Sequence, residues 1–148
     1  MASTTFSGPV TSTNGFIGAL TGNIAGTGRI THTPTAINAT ATATAAQVAT
    51  GYITSTSVGT VSITLPTGTL LGAELGATQG TVFDLYIDNT AGASVVTIVV
   101  AVNGILSTAA ADTPGSFGDL TVASGATGLA RFTLMFSSAT AYVFTRTA

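Results

Sequence analysis

Ala130-Arg-Phe-Thr-Leu-Met-Phe136 decides how this chain folds. Phe132, Leu134 and Phe136 alternate with Arg131, Thr133 and Met135. A period of two means a strand with one face buried and the other turned outward. The same alternation recurs upstream. Val61, Ile63 and Leu65 alternate with Ser62 and Thr64 until Pro66 ends the run, and Phe83, Leu85 and Ile87 alternate with Asp84, Tyr86 and Asp88. Leu120 and Val122 mark another short strand. Ser94 to Val102 is apolar on both faces, which predicts a strand covered on both sides. Phe136-Ser-Ser-Ala-Thr-Ala-Tyr142 reads as a hairpin reversal into a last strand, Tyr142 to Thr147.

Asn89-Thr-Ala-Gly92, Asn103-Gly104, Pro114-Gly115 and Ser124-Gly125 supply turns between these runs. Thr69-Leu-Leu-Gly-Ala-Glu-Leu75 is the only short helix candidate. Six to eight short strands with fairly even turns predict an all-β body over residues 47–148, an antiparallel β-sandwich or barrel. Residues 1–46 read differently. Their large apolar side chains, Phe6, Val10, Phe16, Ile17, Leu20, Ile24, Ile30 and Ile37, are too widely spaced to close a core. The Thr/Ala run at 40–44 has no apolar stripe at helical spacing. This stretch is expected to be an extended N-terminal arm, ordered where another surface covers it.

The chemistry that the chain lacks narrows its function. In 148 residues there is no Lys, Cys or Trp, and only one His, three Arg and five acids. Charged residues make up 5%, against about 25% in an ordinary soluble domain. Three scattered arginines, Arg29, Arg131 and Arg146, and a net charge of −2 cannot build the basic stripe that nucleic acid requires. The Gly-rich run Gly22-Asn-Ile-Ala-Gly26-Thr-Gly28 lacks the lysine of a phosphate-binding loop. Without Cys there is no disulfide framework and no thiolate metal site. The opening Met-Ala-Ser-Thr-Thr-Phe has no basic or apolar signal region, and Val95–Val102 is too short to cross a bilayer. No nucleic acid and no membrane is expected as a partner.

His32 has no second His and no Cys to join it in a triad or metal site. Asp84 and Asp88 share the outer face of their strand with Tyr86, about 13 Å apart at ~3.3 Å per residue. That is too far for a glycosidase pair. A hard-cation site would need one of them with Asp112 or Asp119 from a loop. The simpler reading is that they keep an outer face wet and discourage edge pairing. No catalytic residue, cofactor or metal is expected, and the chain does not read as an enzyme.

The strongest functional candidates lie in the arm. Phe6, Phe16 and Ile17 are large apolar groups in polar surroundings, each worth about 2–3 kcal/mol if fully covered. Gly8, Pro9 and Gly15 favour chain that runs extended and bends. With Val10, Asn14 and Gly18 these residues form an expected docking segment.

Two stretches carry a family resemblance. Thr5-Phe-Ser-Gly-Pro-Val-Thr-Ser-Thr-Asn-Gly-Phe-Ile-Gly18 resembles the N-terminal segment of small structural proteins of tailed bacteriophages. Ser62-Ile-Thr-Leu-Pro66, Phe83-Asp-Leu-Tyr-Ile-Asp-Asn89, Ala130–Phe136 and Tyr142-Val-Phe-Thr-Arg146 are similar to the β-rich bodies of phage head-decoration and fibre proteins. The resemblance implies a capsid decoration (cement) protein, made in the host cytoplasm and carried on the virion head. Its implied partners are the major capsid protein and itself, as a homotrimer. A short head or tail fibre that meets the host surface is the alternative. An enzyme such as a small glycan hydrolase, or a surface-layer or pilus subunit, fits the residues less well.

Overall fold

The computed structural model describes residues 31–106 and 119–148. The architecture below is that of the unit Thr31–Ala148. Val61, Ser62, Ile63 and Thr64 form one short strand. Beside it, in the same direction, run Val96, Thr97, Ile98 and Val99, so that Val61 stacks on Val96 and Ile63 on Ile98. All four aliphatic side chains are buried.

That parallel pair is one step of a coil. In chain order the strands are β1 (Thr35–Ala36), β2 (Ala41–Thr42), β3 (Tyr52–Thr54), β4 (Val61–Thr64), β5 (Val82–Asp88), β6 (Val96–Val99), β7 (Gly104–Leu106), β8 (Thr121–Val122), β9 (Leu129–Ser138) and β10 (Ala141–Arg146). The helices are α1 (Ala45–Ala49) and α2 (Gly68–Leu75), with a single 3-10 turn at Gly125–Thr127. The larger sheet has the order β1-β3-β5-β9-β10-β7, and the smaller β2-β4-β6-β8. The chain thus enters the larger sheet, crosses to the smaller, passes through a helix and returns one strand further on. It does this through β1-β2-α1 and again through β3-β4-α2. After β5 and β6, a turn at residues 101–104 stands where a third helix would, with Asn103 at φ 64 and Gly104 N–H bonded to Ala101 O at 3.0 Å. Successive coils pair strand on strand in parallel, a path like that of stacked repeats.

The antiparallel strands close the stack. β9 lies antiparallel to β5, β10 folds back on β9 as a hairpin, and β8 runs antiparallel to β6. Five of the eight strand pairs among the described residues are nevertheless parallel. The expected antiparallel all-β sandwich or barrel is therefore corrected to a mixed α/β fold with two mixed sheets and helices. The reason is physical. Alternating side chains place a strand and its faces, but they look alike in parallel and antiparallel pairs. The turns at Asn89–Gly92, Asn103–Gly104 and Ser124–Gly125 carry the chain from one sheet to the other instead of joining neighbours in one sheet.

The core lies between the two inner faces. Leu85, Ile87, Phe132, Leu134, Phe136, Tyr142 and Phe144 come from the larger sheet, and Val61, Ile63, Val96, Ile98 and Val122 from the smaller. Phe132 and Phe144 stack with centroids 4.9 Å apart. Residues 31–46, read from composition as part of the arm, contribute β1, β2 and the start of α1, and they bury Ile37 and Ala43. The apolar run around β6 has its inner residues Val96 and Ile98 buried but leaves Val95 and Val99 about two-fifths exposed, so one face is uncovered.

Thr44 starts α1. Its hydroxyl accepts from Gln47 N–H at 3.1 Å, and the Gln47 side chain accepts from Thr44 N–H at 2.8 Å. This reciprocal cap satisfies two donors that a helix start leaves free. The α2 helix begins at Thr67, whose hydroxyl accepts from Leu70 N–H at 3.3 Å, and ends at Gly76 in the left-handed conformation. Its Gly72 meets the turn of the β9–β10 hairpin so closely that a Cβ there would overlap the Ala139 carbonyl oxygen.

Candidate functional site: the outer face of the larger sheet

The register of β3, β5 and β9 sets out a row of large polar side chains. Tyr52 stands beside Tyr86, and Tyr86 beside Arg131. One step along, Asp84 stands beside Thr133, and one step the other way Thr54 stands beside Asp88. These positions alternate with buried Ile53, Leu85, Ile87, Ala130, Phe132 and Leu134, so the core fixes which way they face. Asp84, Tyr86 and Asp88 do share an outer face, as their spacing implied.

Hydrogen bonds hold the row in place. The Thr133 hydroxyl donates to Asp84 Oδ1 at 2.6 Å. Tyr52 donates its hydroxyl to Asp88 Oδ2 at 2.5 Å, while Thr90 donates its hydroxyl at 2.6 Å and its N–H at 2.9 Å to Asp88 Oδ1. Arg131 Nε donates to the Thr147 hydroxyl at 3.0 Å. The bond from the Thr90 hydroxyl, then those from Tyr52 and the Thr90 backbone, hold the Asp88 carboxyl below the usual carboxylate range. The same Tyr52–Asp88 bond, helped by partial burial and the carboxylate charge, raises the Tyr52 phenol.

His32 enters this face from the chain before β1. Its ring tilts over Tyr86, with centroids 5.7 Å apart at 48°. Nδ1 lies 3.0 Å from the Thr50 carbonyl oxygen. A carbonyl only accepts, so Nδ1 carries the proton and Nε2 of the neutral ring is an acceptor. The ring packs over Gly51, at φ 75, where a Cβ would overlap Nδ1 at 2.5 Å. Sequence reading found no triad or metal partner for His32 and did not place it on this face. It missed Tyr52, and it did not place Arg131 beside Tyr86, because both positions depend on strand register.

A second surface is apolar. A groove of about 440 Å³ opens where β2 and β4 run into α1 and α2, lined by Ala43, Ala45, Leu65, Pro66 and Leu70 with Ala101. Leu70 is 60% exposed and Val102 72%. Val102 adjoins the groove, because its carbonyl accepts from Gly68 N–H at 3.0 Å.

Asp119 is not available to Asp84 or Asp88. It is buried and paired with Arg146 at 3.0 Å. Among the described residues there is no group of three or more His, Cys, Asp or Glu that could hold a metal ion. Asp112, the Gly22–Gly28 run and the expected docking residues Phe6, Gly8, Pro9, Val10, Asn14, Gly15, Phe16, Ile17 and Gly18 lie outside the described residues. No helix among the described residues is long and apolar enough to cross a membrane. Comparison with protein families, with curated proteins and with solved structures found no match for this chain.

Proposed function

We propose that the protein is a virion structural protein: a capsid decoration protein that binds and stabilises the assembled phage head, with the major capsid protein and its own copies as partners. The observation that supports it is the apolar surface around the groove, where Leu70 and Val102 are mostly exposed on a chain with almost no surface charge. Exposed apolar patches rimmed by polar residues mark interaction surfaces. A protein that binds only the assembled shell stabilises it by mass action, and several arms in one oligomer add avidity. The test is a particle pull-down with the full chain and with a variant lacking residues 1–25. The full chain should bind, and the truncated chain should fold by circular dichroism yet fail to decorate. Full binding by the truncated chain would contradict the assignment of docking to the arm.

The alternative, a short fibre that meets the host surface, draws on a different observation: the aromatic and charged row on the larger sheet.

A further inference from the structure

We propose that the outer face of the larger sheet is a carbohydrate-binding surface that takes a neutral glycan across Tyr52, Tyr86 and Arg131. This goes beyond the decoration reading and does not depend on where on a particle the protein sits.

The argument starts from distribution. The described residues carry six charged side chains, Glu74, Asp84, Asp88, Asp119, Arg131 and Arg146. Arg146 and Asp119 are consumed by each other inside the body. Three of the remaining four stand on this one face, with His32 and both of the tyrosines that are not buried. Solvation alone would spread such groups over the surface instead of gathering them on one face.

A sugar ring offers an apolar C–H face and a rim of hydroxyls, each both donor and acceptor. The Tyr52–Tyr86–Arg131 row spans about 10 Å at ~4.8 Å between strands, close to the length of a disaccharide. Its aromatic rings supply flat apolar surface with a polar edge. Among the described residues the Tyr86 hydroxyl, His32 Nε2, Asp84 Oδ2 and the terminal nitrogens of Arg131 make no hydrogen bond, so donors and acceptors stand side by side. These side chains are half-buried, and those of Asp84, His32 and Arg131 are tethered at 2.6–3.0 Å by their other atoms. Little rotamer freedom is left to lose on binding. The two carboxylates oppose a polyanion, and of the exposed aliphatic residues on this face Val82 and Met135 lie at the far end of the strands, leaving Leu129 beside Asp88 as the one next to the row.

The test uses the full chain. A printed array of neutral and acidic glycans finds the best neutral oligosaccharide, and isothermal titration measures it. Tyr86→Ala, Asp84→Asn and Arg131→Gln should each weaken binding tenfold or more, with Leu70→Ser in the groove unchanged. Asp84→Asn keeps an oxygen to accept the Thr133 bond, so it separates binding from folding, and thermal melts check every variant. The proposal is overturned by no neutral glycan binding at about 1 mM, by binding that survives all three substitutions in folded protein, or by binding confined to acidic glycans.

Discussion

Arg146 and Asp119 join the two sheets. Arg146 ends β10 in the larger sheet, and its Nη1 lies 3.0 Å from Asp119 Oδ2 and 2.6 Å from the carbonyl of Thr121 in β8 of the smaller sheet. The guanidinium carbon sits 5.9 Å from the centroid of the Phe132 ring. Their side chains are 18% and 6% exposed. The pair therefore closes one end of the core with a nearly buried carboxylate and a mostly buried guanidinium.

Removing either partner should take an opposite charge away from the other, although Thr121 still donates to Asp119 Oδ1 at 2.9 and 2.6 Å. Arg146→Ala and Asp119→Ala are each expected to lower unfolding free energy by about 2–3 kcal/mol, below the full buried-pair cost because the arginine head is partly wet. The double variant should lose less than the sum of the two. Urea unfolding of the four proteins measures this, and strict additivity would show that the pair does not act as a unit.

Tyr142 sets the alkaline limit. Its buried hydroxyl donates to the Pro66 carbonyl at 3.2 Å, and burial pushes its phenol up to about 12. A phenol raised on folding contributes stability that is complete below its ordinary value near 10 and is lost as pH rises through 12. Tyr52 acts in the same direction. Asp88 is the mirror case. Its folded value is lowered, so its contribution is present above the ordinary carboxylate range and lost as pH falls through the folded value. Unfolding free energies from urea titrations should form a plateau in the middle range and fall by about 2–3 kcal/mol through the Tyr142 window. In Tyr142→Phe that alkaline fall should largely vanish.

Asn89 bridges three parts of the body. Its side-chain nitrogen donates to the carbonyls of Ser94, Val122 and Ala123 at 2.8, 3.3 and 3.0 Å, and the residue is fully buried. Asn89→Asp would set a carboxylate against three carbonyl oxygens with no donor between them. It should destabilise more than Asn89→Ala, by several kcal/mol. Thermal melts at neutral pH compare the two, and equal losses would mean that a carboxylate facing these carbonyls carries no extra penalty.

Binding to particles should vary little with salt. Screening acts on exposed charges, and the chain carries few. Occupancy between about 50 and 500 mM NaCl is expected to stay nearly constant. A steep fall would assign the contact to charged groups.

Strand positions were legible because Val61/Ile63/Leu65, Phe83/Leu85/Ile87 and Phe132/Leu134/Phe136 each declare a buried face. Their partners were not. Nothing local tells Ser62 that its neighbour is Thr97, in parallel, across a whole coil. The α1 helix was missed because it is five residues long and bears no stripe, although Thr44 and Gln47 carry the spacing of a reciprocal cap. The polar face was half visible. Asp84, Tyr86 and Asp88 follow from alternation within one strand, while Tyr52, Arg131 and His32 join them only through register and a packed glycine.

The proposed decoration role requires many copies of this protein on a virion head. Quantitative mass spectrometry of purified particles counts it directly against the major capsid protein. Decoration predicts hundreds of copies per head. A dozen or fewer would contradict it and favour a fibre.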